Sequence, residues 1–408
     1  MSWVGVAVSS PRAVTMTPLL RKFLGMNWVL ILTMYGLLVF GVFSIESAAR
    51  HIPAPELAGQ PELWGSWFAD RQKLWIVLGS LIYFAVALVD YRWLMWLGIP
   101  MYLVGIIMLL ILLGRGSEVH QLTVGGLSFQ PTQLVIAAGI IMVGAAFQYL
   151  PRIHRVFAHP LARLTIIAGL CGLPFMLVMK NGDMGSAIVW LPVAFVTMLV
   201  GGIPFRYLLF MGLIASGLAP IIYFIVLPAV SERGYARINN FKENFQRGYV
   251  TNTDKNYAEY RVTMAVGKAG WRGAGHGSTS KDSLHHRKDI PWKTAHNDYI
   301  FAVIAEEQGF RGSLLLIITF ALLLIQCLFV AFYSRDFAGQ IIAAGVVALF
   351  FAHIFENIGM CVSLMPITGI PLPLISYSGT FVVICMFLLG LVQSIWVHRY
   401  RGSAGQAV

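Results

Sequence analysis

The chain has 408 residues, 58% of them hydrophobic and 12% charged, with a net charge of +11 and a mean hydropathy of +0.73. A soluble domain carries about a quarter charged residues. The deficit excludes a disordered chain, a coiled coil and an ordinary cytosolic enzyme, and leaves the bilayer as the expected solvent.

Stretches free of Asp, Glu, Lys and Arg run over 23–45, 74–89, 93–114, 119–151, 164–179, 184–205, 207–231, 312–334, 337–355 and 357–398. A helix needs about 20 apolar residues to cross the hydrocarbon, and most of these stretches qualify. The 119–151 stretch opens on polar residues, which places its helix start near Pro131. The last stretch is too long for one crossing. It reads as a helix end, a Pro/Gly-rich re-entrant loop over 366–379 and a helix from about Thr380. The expected fold class is therefore all-α, a polytopic membrane protein with about ten transmembrane helices and a long extracytoplasmic loop before span eight.

The organisation that follows is an N-terminal tail over 1–26, spans one to seven over 27–230, the long loop over 231–297, spans eight to ten over 298–398 and a C-terminal tail over 399–408. The first 26 residues hold Arg12, Arg21 and Lys22 but no short apolar core with a small-residue cleavage site, so no cleavable signal peptide is expected. With both termini cytoplasmic, the short inner segments carry eleven bases (Arg12, Arg21, Lys22, Arg92, Arg152, Arg155, Arg163, Arg206, Arg335, Arg399, Arg401) against Asp90 and Asp336. The short outer segments carry five bases against seven acids. That is the positive-inside pattern. Tryptophans and tyrosines near span ends, such as Trp28, Trp75, Trp93, Tyr149 and Tyr207, suit interface anchoring. The four cysteines all lie in or beside apolar runs and form no CxxC pair; they read as small core residues.

The 231–297 loop holds twelve Lys/Arg and six Asp/Glu. It is either a solvated, partly flexible connector or a phosphate-handling surface, since Arg and Lys partner phosphate oxygens. Its His285–His286 pair lacks a second ligand set for a metal. The loop ends at His296-Asn297-Asp298, where Asn297 or Asp298 is placed to cap the next helix. Ala302 and Ala305 fall on the face of Asp298 and leave room beside it, Glu307 points away, and Glu306 lies between. By alternating topology Arg71, Gln130, Asp183, Asp298 and Glu356 share the outer boundary. Snorkelling residues would scatter over both faces, so this grouping suggests one outward polar cavity, while loop anchoring explains any single member equally well. An acid at a membrane boundary is a functional candidate by default.

Several stretches carry a family resemblance. PITGIPLPLISYSGT (366–380), HNDYIFAVIAEEQGFRG (296–312), FQPTQ (129–133), NGDMGSA (181–187) and FENIGM (355–360) resemble motifs of the RodA/FtsW/SpoVE family (SEDS proteins), in the family's order and topological places. The TGIPLP wording is more like the RodA branch. The resemblance implies a peptidoglycan glycosyltransferase that polymerises lipid II in cell-wall elongation and rod-shape maintenance, in the bacterial cytoplasmic (inner) membrane. A class B penicillin-binding protein is the implied partner, with membrane lipids and no nucleic acid. Asp298 matches the family's catalytic aspartate, Arg71 a family arginine and Asp183 the acid of its P-D-L-G motif. The expected site is Asp298 as catalytic base, with Arg71, Gln130, Asp183, His296, Glu306 and Ser376 binding substrate. A divalent cation (Mg2+ or Mn2+) is an open expectation.

The chain departs from the family pattern at Gln133 and Ile136, where a glutamate and a lysine are usual. It departs again at His120-Gln121 for Arg-Trp and at Ser376-Tyr377-Ser378-Gly379 for SYGG. Loss of the Glu and Lys together is charge-balanced and reads as a deleted ion pair. Two other functions stay open at this point: a lipid II flippase or transporter, and a scaffold for a transpeptidase without chemistry of its own.

Overall fold

A computed structural model describes residues 17–54, 59–115, 122–124, 127–250, 252–253 and 256–399. Most of the N-terminal tail, His120–Gln121 and the C-terminal tail from residue 400 lie outside the described residues. Among the described residues nine helices are long and apolar enough to cross a membrane. They are α2 (Trp28–Ala48), α3 (Trp64–Leu88), α4 (Tyr91–Arg115), α5 (Pro131–Ile153), α6 (Pro160–Lys180), α9 (Phe205–Ile221), α13 (Ile300–Phe332), α14 (Phe337–Cys361) and α15 (Gly379–Val397), with α9 carried on to Ile225 by a π-turn. A short α1 (Pro18–Leu24) precedes them.

The expected sixth crossing is shorter than the rest. It consists of α7 (Met184–Ile188) and α8 (Trp190–Val200). Its start is fixed by a turn at Gly182 (φ 78°) and by Asp183, whose Oδ1 accepts the Ser186 amide at 3.1 Å. Its end is fixed by the Gly201–Gly202 turn, with Gly202 at φ 70°. Two short strands, β1 (Leu122–Val124) and β2 (Leu127–Phe129), pair antiparallel just before α5.

The long basic loop is not a plain connector. Ser231 caps α11 (Glu232–Arg247), which closes on Gly248 in the left-handed region (φ 75°). Then α12 (Tyr257–Lys268) follows, after the short α10 (Leu227–Val230) at the foot of the seventh crossing. The sequence hides α11 because it is a polar, amphipathic helix without an apolar run.

Helices α14 and α15 are the most enclosed crossings and form the middle of the bundle. α15 packs along α3, α4 along α5, and α13 against both α14 and α2. Between α14 and α15 residues 362–378 hold no helix, and Ile370–Ser376 are buried. Irregular backbone at such depth survives only inside protein. Here it lies against α2, where a side chain at Gly41 would meet Leu374 O at 2.8 Å. All four cysteines are buried and free.

Charged contacts sort the two ends. At one, Lys22 Nζ donates to Leu88 O (2.8 Å) and Arg92 pairs with Asp336 (2.8 Å). There Arg163 donates to Gly201 O (2.7 Å) between the rings of Phe147 and Phe337, so it is a packing anchor as well as a topology signal. The opposite end holds the candidate site.

Candidate active site

The segment before α13 is held by three successive backbone anchors. His296 O accepts the Tyr377 amide (3.0 Å), Asn297 O accepts Ser376 Oγ (2.6 Å), and Asp298 O accepts Asn357 Nδ2 (2.9 Å). Asn357 also donates to Ile370 O (2.7 Å), and Leu372 N donates to Ser376 Oγ (2.8 Å). The end of α14 and the irregular 362–378 segment thus fix the backbone that carries Asp298. Contrary to the sequence expectation, neither Asn297 nor Asp298 caps α13. The helix begins at Ile300, its N-cap position is Tyr299, and no side chain bonds there.

The Asp298 carboxylate is left for other work: among the described residues no side chain or amide hydrogen-bonds it. Gly369 lies against it, and a side chain at that position would stand 3.4 Å from Oδ2. Gly369 adopts φ 75°, a region glycine enters at little cost. Arg237 on α11 faces Asp298 and donates to Thr368 O at 3.3 Å. Asp183 faces it as well, and accepts from Gln130 Nε2 at 3.2 Å. Burial first, and then the like charge of Asp183, push the Asp298 carboxyl up to about 7, against the pull of Arg237. A base with such a pKa is matched to proton transfer near neutrality.

Asp183 also lies within electrostatic reach of Glu356 on α14, which stands beside Thr368. Gln130, Asp183, Asp298 and Glu356 therefore form one polar cluster at one end of the bundle. Glu356 Oε2, Asn357 Oδ1, Asn297 Oδ1 and Gln133 Oε1 are buried there and bond to no described residue. Buried polar atoms require partners, so this end carries more hydrogen-bonding capacity than the protein itself uses.

Arg71 stands at the edge of the cluster. Its guanidinium lies over the Trp67 ring (4.2 Å) and acts on Tyr377. Tyr377 in turn packs on His296 and Phe68, with ring centroids 5.3 and 5.1 Å away. Burial lowers His296 to about 4, so its imidazole is neutral and supplies no positive charge near pH 7.

Two expected ligands have structural partners instead. Glu306 accepts the amides of Leu284 (2.5 Å) and His285 (3.0 Å), holding the loop after α12. Ser376 is spent on the backbone anchors described above. Ala302 and Ala305 are fully enclosed in the core and do not open space for substrate. Glu307 does point away from Asp298: it pairs with Arg50 (3.0 Å) and His276 (3.0 Å), accepts the Gly277 amide (3.2 Å) and bonds Ser47 Oγ. At the family's Glu and Lys positions, Gln133 Nε2 meets His353 Nε2 (3.4 Å) and Ile136 is fully buried. An uncharged contact occupies this part of the fold.

Arg237 is the functional candidate that sequence reasoning missed. Among twelve loop bases nothing marked it, because its place depends on α11 folding back over the bundle.

The family model of the FtsW/RodA/SpoVE cell cycle proteins matches residues 25–401. The chain belongs to this family. It is 27% identical over 392 residues to a probable peptidoglycan glycosyltransferase FtsW of Geobacter sp. (strain M18), covering 94% of this chain and 100% of the relative. It is 29% identical over 291 residues to the peptidoglycan glycosyltransferase MrdB of Escherichia coli (strain K12), covering 70% and 73%. Its fold matches a chain from a peptidoglycan synthase complex, described as structural coordination of polymerization and crosslinking. That match has a TM-score of 0.72 at 24% identity, covering 92% of this chain and 99% of that one. This FtsW/RodA/SpoVE protein is thus a nearly all-helical, multi-pass membrane protein with its unusual polar groups gathered at one end.

Proposed function

We propose that this protein is a peptidoglycan glycosyltransferase that polymerises lipid II into glycan strands, with Asp298 as general base. The observation that carries the assignment is the Asp298 carboxylate itself: unbonded, backbone-anchored, and raised to about 7 between Asp183 and Arg237. The acceptor sugar's hydroxyl oxygen attacks the anomeric carbon of the donor while the bond from that carbon to the pyrophosphate oxygen breaks. The hydroxyl proton passes to Asp298, and direct displacement inverts the anomeric centre. The departing lipid pyrophosphate is a weak base, so it needs positive charge more than an acid. Arg237 beside Asp298 and Arg71 at the edge of the cluster are placed to supply it.

The proton transfer and displacement balance on the protein's own side chains. Asp183 and Asp298 face each other, but among the described residues no three His, Cys, Asp or Glu side chains gather into a ligand set.

The RodA-like segment Thr368–Pro373 supports a role in elongation and rod shape. The match to a synthase complex chain supports a penicillin-binding protein as partner. The positive-inside charge pattern supports a topology with the Asp298 end outside the bacterial cytoplasmic membrane and both termini in the cytoplasm. Transporters carry broken helices and charges near the bilayer midplane; the terminal position of this cluster favours the transferase. The test is polymerisation of purified lipid II. Asp298→Ala should abolish polymer while expression and membrane insertion stay normal, and polymer at the parental rate overturns the assignment.

A further inference from the structure

Between α11 and α12 lies a cleft of about 530 Å³, within the range of about 300–1,000 Å³ usual for small-ligand sites. Its walls are aromatic and accessible: Phe245 is 71% and Tyr249 64% exposed, and Tyr260 stands opposite them on α12. Its floor is polar. Glu259 is only 6% exposed, and its Oε2 accepts Asn244 Nδ2 at 3.1 Å. Its Oε1 is buried without a formed hydrogen bond, beside the Ser363 hydroxyl. Ser363 is held in the left-handed region (φ 56°) with its Oγ 2.8 Å from Thr263 Oγ1.

The lining selects among ligand classes. Among the described residues it contains a carboxylate and no basic side chain, so a phosphate or pyrophosphate is repelled. The cleft lies between helices outside the nine long apolar ones, and a hydrocarbon chain would seal Glu259 Oε1 with only the Ser363 hydroxyl, itself shared with Thr263, beside it. A sugar fits both surfaces. Aromatic faces pack against the C–H face of a pyranose ring, and hydroxyl or N-acetyl N–H groups donate to the under-bonded carboxylate oxygen, which has room for more donors than Ser363. Burial pushes the Glu259 carboxyl up, a cost that an incoming donor offsets.

The cleft also adjoins the site. Tyr299, next in the chain to Asp298 and 7% exposed, lies within electrostatic reach of both Asp298 and Glu259. We propose that the α11–α12 cleft is a carbohydrate subsite that retains a sugar of the glycan strand next to the reacting end, and so sustains strand growth. The strand-growth part rests on the polymerase assignment above.

The test uses the full chain in lipid nanodiscs, free of sugar-headed detergent, titrated with a soluble N-acetylglucosamine oligosaccharide and read by saturation-transfer NMR. Saturable binding is expected, weakened about tenfold by Tyr249→Ala and by Glu259→Gln, equivalent to about 1.4 kcal/mol each. Tyr249 is exposed, so its variant separates lost contact from lost folding. The same variants should make shorter strands from lipid II. Absent binding, binding unchanged in Tyr249→Ala, displacement by an isoprenoid alcohol, or unchanged strand length overturns the proposal. Oligosaccharide binding involves no turnover, so its failure leaves the Asp298→Ala result standing, and the reverse holds.

Discussion

Asn357 Nδ2 donates to the backbone carbonyl of Asp298 at 2.9 Å, and the same amide group donates to Ile370 O at 2.7 Å. One side chain near the end of α14 therefore ties the backbone that carries Asp298 to the irregular segment that carries Gly369. Asp298 is positioned by its main chain, while among the described residues its carboxylate stays unbonded.

This arrangement makes Asn357 a positioning residue with a defined signature. Asn357→Ala removes both donors and lets the Asp298 backbone drift. A displacement of about 1 Å in a reacting group costs on the order of 100-fold in rate. Asn357→Ala should lower kcat by about 10- to 100-fold with a smaller change in KM. Asn357→Asp, which accepts but cannot donate, should be no better. Initial rates of lipid II polymerisation by the two purified variants check this.

The rate should also report the Asp298 pKa. A general base must be ionised, so activity should rise with pH through a limb near 7 and flatten above it. Asp183 raises the carboxyl and Arg237 lowers it. Asp183→Asn should therefore move the limb to lower pH, and Arg237→Gln should move it to higher pH. A pH–rate profile of kcat/KM for the three proteins separates these directions. A limb that stays put in both variants removes Asp298 as the titrating group.

Raised pKa carries a stability consequence of opposite sign to activity. The ordinary value for this carboxyl is 3.8 and the folded value about 7, so the native state disfavours the charged form. The penalty is absent below about pH 4, grows as pH rises toward 7 and is complete above it. Its ceiling is about 4 kcal/mol at about 1.4 kcal/mol per unit, and the residual solvent contact of Asp298 reduces it. Asp298→Asn should be inactive yet melt higher than the parent at pH 8.5, with the gap closing at pH 4. Thermal melts in detergent at the two pH values test this.

Much of this protein is legible in its sequence because the bilayer imposes a simple rule. Charge-free runs located every long apolar helix, and Asp298 stood out as an acid at a helix start beside a basic loop. What the sequence hid depends on tertiary closure. α11 has no apolar run, and Arg237 is one base among twelve until that helix folds back. Glu306 sits in an unbroken helical pattern with Asp298, and nothing local shows that its oxygens are taken by Leu284 and His285. The shortened sixth crossing follows from two glycine turns and the Asp183 cap. Chain order alone gives those no more weight than any other loop.

The loop end of α13 offers a last test, built on Glu307 and Gly309. α13 breaks at Gly309 (φ 69°, ψ −166°), backbone that glycine alone adopts readily. The break exposes the carbonyls of Glu306 and Glu307 to the amides of Ala274 and Gly275, each at 2.8 Å. A side chain at Gly309 would meet Gly273 N at 2.4 Å. Beside this crossing Glu307 is 5% exposed and paired with Arg50, itself 20% exposed. Removing one partner of a buried pair costs about 3–5 kcal/mol, because the other charge is left uncompensated. Arg50→Met should therefore destabilise strongly, with His276 and the Gly277 amide offsetting part of the loss. Adding Glu307→Gln to Arg50→Met should recover part of the stability by removing the orphaned charge. Gly309→Ala should release the 270–277 segment outright. Limited proteolysis within 270–288, with thermal melts of the four proteins, ranks them. A double variant no more stable than Arg50→Met would show that the contact works through shape rather than charge.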